Sequence, residues 1–213
     1  MKAAHYIANK ILARISRMAI SSTASASDFF DIGSRPAVDQ ALSRLVRRGQ
    51  LYRVDRGLYA RRQISPLTGG LAAASPHGVA RTIARKLGLR ILPSRQHASN
   101  LLGLSTQVPA KLVYLTDGRS RTVSAGPFTL HFRHASPRTM DVSGRLAPVV
   151  FQALRDLGLD GVSESHVARL RRLLKSKDKR DLLRNLHYAP GWMKPILFQI
   201  AGPSPKVDHG SDS

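Results

Sequence analysis

Residues 34–60 have the sequence SRPAVDQALSRLVRRGQLYRVDRGLYA, and this stretch decides the fold. Ser34 is a favoured helix N-cap residue, and Pro36 suits the first helical turn. The apolar residues that follow have the i, i+3, i+4, i+7, i+8 spacing of a buried helix face: Val38, Ala41, Leu42, Leu45 and Val46. Gly49 is placed to end this helix, and residues 51–54 and 58–60 predict two short strands around a glycine turn. We therefore expect a helix followed directly by a β-hairpin.

The residues before this stretch predict two more helices. Four apolar residues spaced by four, four and three share one helix face: Ile7, Ile11, Ile15 and Met18. Ser27 is a suitable cap for a short second helix over residues 28–32, and Gly33 is placed to end it. The order helix, helix, turn, helix, hairpin is that of a winged helix-turn-helix, which we assign to residues 1–62.

The chain carries 34 Lys and Arg against 13 Asp and Glu in 213 residues, a net charge of +21. This surplus favours a polyanionic partner: nucleic acid or an anionic surface by default, acidic substrates as the weaker alternative. The absence of cysteine excludes disulfide scaffolds, thiolate metal sites and cysteine nucleophiles, and it favours the cytoplasm. No apolar run is long enough to span a membrane, so we expect no membrane partner.

The proposed helix-turn-helix indicates which residues contact double-stranded DNA. Its third helix would enter the major groove with its N-terminal residues nearest the bases, so the candidates for base reading are Arg35, Gln40 and Arg44. The candidates for phosphate contacts are Lys10, Arg14, Ser34, Arg47, Arg48, Arg53, Arg56 and Arg61. Two alternatives stay open: a winged helix that contacts protein, and exposed arginines that are only solvated. Seven arginines between Arg44 and Arg62, opposed by Asp55 alone, favour DNA.

A family resemblance follows from the same residues. The skeleton Ala-Leu-Ser-Arg-Leu-Val (41–46), Gly49 and Arg-Gly-Leu-Tyr (56–59) resembles the N-terminal domain of the AbiEi-type antitoxins. Residues 101–109, leading into 111–118, are similar to the domain that follows in that family, so the resemblance covers residues 4–140. It implies a bacterial antitoxin of an abortive-infection system that represses its own operon at promoter inverted repeats. It also implies a partner, a nucleotidyltransferase-like toxin encoded beside it. A stand-alone regulator is compatible with the same resemblance.

Residues 70–201 predict an α+β effector domain that follows a linker at 63–69, and residues 202–213 predict a disordered tail. Helices are predicted over 76–87, 96–102, 149–157, 181–188 and 192–200, with another that begins near Ser163. Strands are predicted over 111–116, 121–125 and 128–133. A second basic surface, with plain solvated surface as the alternative, is predicted from Arg119, Arg121, Arg133, Arg172 and Lys175. The predicted fold class is α+β: a winged helix-turn-helix, then a mixed α+β domain with C-terminal helices.

Signatures of catalysis are sparse in the sequence. It has no Gly-rich phosphate loop, no Gly-x-Ser-x-Gly elbow and no His-Glu-x-x-His site. Asp117 is the only carboxylate in residues 63–140, too few for a two-metal nuclease. We therefore expect no catalytic site, no metal and no cofactor. The leading interpretation is a DNA-binding repressor that acts as an antitoxin. The alternatives are a non-specific DNA- or RNA-binding protein and a toxin neutraliser that acts by protein contact alone.

Overall fold

The computed structural model describes residues 2–64, 69–70 and 72–202, and the chain is of mixed α+β class. Its Cα packing forms two compact units. Unit 1 comprises Met1–Ile91 and Gly118–Phe132, and unit 2 comprises Leu92–Asp117 and Arg133–Ser213. Residues 203–213 of the predicted tail and residues 65–68 of the predicted linker lie outside the described residues.

Unit 1 begins with helix α1 (Lys2–Ser16), strand β1 (Ala24–Ser25), a 3₁₀ helix (Ala26–Phe29) and helix α2 (Arg35–Arg47). Strands β2 (Leu51–Asp55) and β3 (Leu58–Arg61) follow as the hairpin that the sequence predicts. Strand β1 pairs antiparallel with β3, which gives a three-stranded sheet of order β1-β3-β2. The predicted second helix is thus a single 3₁₀ segment, preceded by a strand that the sequence analysis does not anticipate.

The core of unit 1 lies between α1, α2 and this sheet. It contains fully buried apolar side chains from each of these elements and from the 3₁₀ helix: Ile11, Phe29, Val38, Leu42, Leu45 and Leu51. The predicted apolar face of α2 is confirmed, although Val46 is only partly buried. The cap of the 3₁₀ helix is Ser25 rather than the predicted Ser27, and the Asp28 carboxylate accepts the backbone N–H of Ser25 at 2.8 Å.

Helix α3 (Pro76–Lys86) is also part of unit 1, although it follows the predicted linker. Its Thr82 side chain is fully buried; Oγ1 accepts from Thr23 Oγ1 at 2.8 Å and donates to the Thr23 carbonyl at 2.8 Å. Arg85 donates to the two carboxylate oxygens of Asp28 at 3.2 and 2.9 Å. These bonds fasten α3 to the segment around β1, so unit 1 continues past residue 70, where the sequence predicts a new domain.

The second sheet contains four strands, β4 (Ile91–Pro93), β5 (Leu112–Thr116), β6 (Arg121–Ala125) and β7 (Phe128–His134), in the order β4-β5-β7-β6. Strands β6 and β7 pair antiparallel, with Val123 opposite Leu130. Burial alternates along β7, since Leu130 and Phe132 are buried whereas Thr129 and Arg133 are exposed. The strand therefore has one apolar face and one polar face.

Unit 2 is mainly helical. Its helices are α4 (Arg95–Leu101), α5 (Pro137–Met140), α6 (Ala147–Gly161), α7 (Glu164–Leu173), α8 (Ser176–Arg184), a second 3₁₀ helix (Leu186–Tyr188) and α9 (Met193–Ala201). Their shared core contains Phe151, Leu154, Leu170, Leu182 and Leu197. On the last turn of α7 and just after it, Leu170 and Leu174 are buried, whereas Leu173 is 46% exposed.

A buried amide connects two parts of unit 2. The side chain of Asn185, 1% exposed, accepts the backbone N–H of Ser143 at 2.9 Å and donates to the Ser143 carbonyl at 3.0 Å. It also donates to the Asp181 carbonyl at 2.6 Å. Both ends of the amide are satisfied, as a buried polar group requires. The loop between α5 and α6 is thereby held against the end of α8.

Candidate nucleic-acid interface

A groove of about 600 Å³ lies in unit 1 beside α2 and the β2–β3 hairpin. Its cationic lining comes from three separate elements: Arg35 from α2, Arg53 and Arg56 from the hairpin, and Lys86 from the last turn of α3. Arg53 and Arg56 were predicted as phosphate contacts and Arg35 as a base reader. The structure thus brings three predicted residues to one concave surface and adds Lys86 to them.

Helix α2 carries its candidates on two neighbouring stripes. At about 100° per residue, Arg35, Asp39 and Ser43 fall on one stripe, and all three line the groove. Gln40 is exposed and Arg44 is half-buried on the next stripe, and neither belongs to the groove lining. The Arg35 side chain is 80% exposed, and its Nε lies 3.9 Å from the Asp39 carboxylate. Of the three candidates for base reading, Arg35 is therefore the one that the groove contains.

The hairpin orients its cations through local contacts. Arg53 donates from Nη2 to the Tyr59 hydroxyl at 3.3 Å, and its guanidinium lies 5.7 Å from the centre of the Tyr59 ring. This hydrogen bond raises the pKa of Arg53. In the turn, the backbone N–H of Arg56 donates to the Asp55 carboxylate at 2.7 Å. Both arginines are exposed, so their guanidinium groups are available to an anion in the groove.

Lys86 approaches the same turn from α3. A Cβ added to Gly57, which has a φ of +75°, would lie 3.9 Å from Lys86 Nζ. The sequence analysis predicts helix α3 but does not assign it to this surface. One residue of the sequence does signal that α3 packs closely on unit 1. This residue is Gly78, near the start of α3, where a Cβ would lie 2.7 Å from the Ser21 carbonyl oxygen. Such a residue indicates a helix that packs closely on another segment of the chain.

Arg14, predicted to contact phosphate, is engaged within the protein. Its Nη1 and Nη2 donate to the two carboxylate oxygens of Asp31 at 2.7 and 2.6 Å, and Nη1 also donates to the Asp28 carbonyl at 2.8 Å. The hydrogen bond between the two side chains raises the pKa of Arg14 and lowers the pKa of Asp31. This bidentate pairing uses the guanidinium edge that a phosphate would need. We therefore reassign Arg14 to fastening α1 to the segment before α2.

Asp28 is held in a similar way. Burial alone would raise the pKa of its carboxyl group, but hydrogen bonds from Arg85 and from the Ser25 amide outweigh burial and lower that pKa. Unit 1 contains 18 Lys and Arg against four Asp, a formal charge of +14. Two of the four acids, Asp28 and Asp31, are thus held by arginine, which leaves Asp39 and Asp55 to oppose the other cations.

The other candidates for phosphate contacts are exposed on unit 1 but lie outside the groove lining: Lys10, Ser34, Arg47, Arg48 and Arg61. Ser34 is at the N-cap position of α2, but its side chain makes no capping hydrogen bond. Lys10 Nζ lies 4.4 Å from the centre of the Tyr6 ring. A partner that contacts these residues together with the groove must be larger than the groove itself, as a duplex is.

The five residues of the predicted second basic surface are divided between the units. Arg119 and Arg121 are in unit 1, whereas Arg133, Arg172 and Lys175 are in unit 2. All five are exposed. Arg133 lines a cavity of unit 2, whereas Arg172 and Lys175 lie near the end of α7. Their grouping into one surface stays a prediction.

Within the part of the chain that the structure describes, no three His, Asp or Glu side chains converge as a metal site requires. No described helix combines the length and the apolar character needed to cross a membrane. His131, on β7, has Nδ1 at 3.1 Å from the Thr122 hydroxyl of the paired strand. The groove of unit 1, by contrast, has four cationic residues against Asp39 among the described residues of its lining, which is the chemistry of an anion-binding surface.

Comparison with known proteins identifies a family whose function is unknown. No curated protein matches the chain. The model of DUF6088, described as a family of unknown function, matches residues 10–182. That match includes α2, the β2–β3 hairpin, α3 and all of the groove lining. The chain therefore belongs to the DUF6088 family of unknown function.

Proposed function

We propose that unit 1 contains a winged helix-turn-helix that binds double-stranded DNA. The observation that carries this proposal is the groove in which Arg35 of α2 meets Arg53 and Arg56 of the hairpin. The element order supports it, since a helix, a short strand, a 3₁₀ helix, α2 and a hairpin follow one another in unit 1. In this class of module the helix before the hairpin lies in the major groove, and cations on the hairpin neutralise the backbone.

The roles of individual residues follow from their positions. Arg35, at the start of α2, is the first candidate for base reading, because a guanidinium donates two hydrogen bonds to guanine O6 and N7. Gln40 and Arg44 would read bases from the neighbouring stripe. Phosphate contacts are proposed for Arg53, Arg56 and Lys86 in the groove, and for exposed residues around it: Lys10, Ser34, Arg47, Arg48 and Arg61.

The biological role that we propose is that of a cytoplasmic transcriptional repressor that acts as an antitoxin. It would bind inverted repeats in its own promoter and oppose a nucleotidyltransferase-like toxin encoded next to it. The resemblance of residues 4–140 to the AbiEi-type antitoxins supports this role, as does the charge of +14 on unit 1. The proposal includes no enzymatic activity and no cofactor.

The test compares two DNA duplexes of equal length, the protein's own upstream promoter and a scrambled version, in about 150 mM salt with excess competitor DNA. We expect the promoter to bind about 10³-fold more tightly or better, as specific regulators do. Arg35→Ala and Arg44→Ala should each weaken specific binding by about 1–3 kcal/mol and spare binding to the scrambled duplex. Lys10→Ala should weaken both duplexes alike. Equal losses on both duplexes from all three variants would contradict the assigned roles.

A second candidate function is sequence-independent binding of DNA or RNA, and the charge of unit 1 favours it. In that case both duplexes bind alike, competitor DNA removes both, and Arg35 behaves like Lys10. The same titration therefore separates the two candidates. A stable complex with the neighbouring gene product, formed without DNA, would instead favour neutralisation by protein contact.

A further inference from the structure

Unit 2 contains a second basic concavity that is independent of the groove in unit 1. This cavity of about 890 Å³ is bordered by the starts of α4 and α5, by β5, by the end of β7 and by α6. Five cationic residues line it: Arg95, Lys111, Arg133, Arg138 and Arg155. Asp156 is the one acidic residue among the described residues of the lining. So many like charges on one concave wall create a strong local preference for an anion.

Arg155 gives the clearest evidence for this preference, because one of its guanidinium nitrogens is shielded and, among the described residues, unbonded. It projects from α6, and its guanidinium lies 5.9 Å from the centre of the Phe151 ring. Its Nη1 is shielded from solvent and has no hydrogen-bond partner among the described residues. Burial lowers the pKa of Arg155, and the nearby charges of Arg95 and Arg138 lower it further. A shielded charged donor without an acceptor is unfavourable, and a bound anion would supply that acceptor.

The remaining lining limits the kind of anion. The volume falls within the roughly 300–1,000 Å³ typical of small-molecule pockets. Val113 and Leu115 of β5 form an apolar part of the wall beside the cations. Gln152, which is 2% exposed, contributes a buried polar side chain to the same wall. A DNA duplex spreads its phosphates along its length. A compact ligand with several adjacent negative charges instead presents them to several of the five cations at once.

We propose that this cavity is a binding site for a small molecule with adjacent phosphate groups, such as a nucleoside triphosphate or an inorganic polyphosphate. Arg95, Arg138 and Arg155 contact the phosphates, and Lys111 and Arg133 contribute charge at the rim. The proposal concerns unit 2 alone and does not depend on DNA binding by unit 1. Ligand occupancy gives unit 2 a means of responding to the nucleotide pool.

The test uses the full chain and isothermal titration calorimetry in about 150 mM salt. The probes are inorganic tripolyphosphate, ATP and adenosine. We expect tripolyphosphate and ATP to bind and adenosine not to bind. Arg138→Ala and Arg155→Met should each weaken binding about tenfold or more, because each loses a charge-assisted contact. Arg138 is exposed, so its substitution should not disturb folding. Arg172→Ala removes the same charge outside the cavity lining and should change affinity by less than about twofold.

Three results would overturn the proposal. One is an equal loss of tripolyphosphate affinity in Arg138→Ala and Arg172→Ala, which would show that only the overall charge of the chain matters. Another is displacement of tripolyphosphate by a short DNA duplex whose own affinity also falls in Arg138→Ala, which would make the cavity part of a nucleic-acid surface. The third is failure of tripolyphosphate and ATP to bind at all. None of these results bears on promoter recognition by unit 1.

Discussion

Lys86 is the residue that most sharply tests the groove of unit 1, because the structure and not the sequence assigns it there. We expect Lys86→Ala to weaken binding to promoter and scrambled DNA alike, since an ammonium group beside the hairpin turn would contact phosphate rather than a base. The matched control is Arg81→Ala, which removes one exposed cation from the same helix but lies outside the groove lining.

The expected magnitude follows from counterion release. The slope of log K against log salt is negative, and one lost phosphate contact reduces its magnitude by about 0.9. With the rest of the interface unchanged, this reduction corresponds to about a fivefold loss of affinity in 0.15 M salt and about a 15-fold loss in 0.05 M salt. Arg81→Ala alters the net charge by the same amount, so any effect of the long-range field is common to both variants. A direct contact therefore appears as the difference between them.

Fluorescence anisotropy with a labelled duplex, measured from about 0.05 to about 0.3 M salt, gives both the affinity and the slope. A phosphate contact by Lys86 is refuted if Arg81→Ala makes the slope less steep by as much as Lys86→Ala does, or if Lys86→Ala leaves the slope unchanged. Because Lys86 is exposed at the end of α3, its removal should leave the folded structure intact. Unchanged thermal unfolding of both variants is the check on that point.

Three further predictions concern the contacts that shape the two units. Thr82→Val should destabilise unit 1 by about 1–3 kcal/mol in urea unfolding, because the Thr23 carbonyl loses the buried Thr82 hydroxyl that donates to it, whereas Thr129→Val on the exposed face of β7 should change little. Since the folded-state pKa of Asp28 is lowered, its contribution to stability is present above the ordinary Asp pKa of about 3.9 and is lost as the pH falls below it. Asp28→Asn should therefore flatten the acid limb of stability against pH, and an unaltered limb would contradict this assignment. Gly103→Ala should cost about 1 kcal/mol or more, since Gly103 has a φ of +64° and a Cβ would overlap the Arg169 guanidinium; Gly191→Ala, with open space around it, is the control.

The elements that the sequence predicts well are those whose signal is local. The spacing of Val38, Leu42 and Leu45 predicts α2, and the glycine at 57 predicts the hairpin turn, because helix and turn depend on residues within a few positions of one another. The alternation along β7 is equally local. Strand β1 was missed because it is only two residues long and is held by pairing with β3, more than thirty residues later.

The site was harder to predict because its geometry depends on contacts that are distant in sequence. Thr23 meets Thr82, and Asp28 meets Arg85, so α3 joins unit 1 and carries Lys86 to the groove. No local pattern around residue 86 contains that information. The stretch after Arg62 has the composition of a linker, and composition describes the connecting chain but not the position of the helix that follows it.

The arginines of this chain divide into two roles that a count of charges cannot separate. Two arginines of α7 bond to backbone carbonyls. Arg169 donates from Nε to the Leu102 carbonyl at 2.8 Å, and Arg171 donates from Nε to the Gln199 carbonyl at 2.6 Å. These contacts join segments of unit 2. They also occupy guanidinium N–H groups that would otherwise be available to a ligand. Arg14 and Arg85 do the same in unit 1 with carboxylates. The cations left for an external anion are those that line concave surfaces without such partners, and in unit 2 Arg155 is the clearest of them, since its shielded Nη1 has no acceptor among the described residues. A charge of +21 favours an anionic partner. The hydrogen bonds within the chain decide which arginines such a partner could reach.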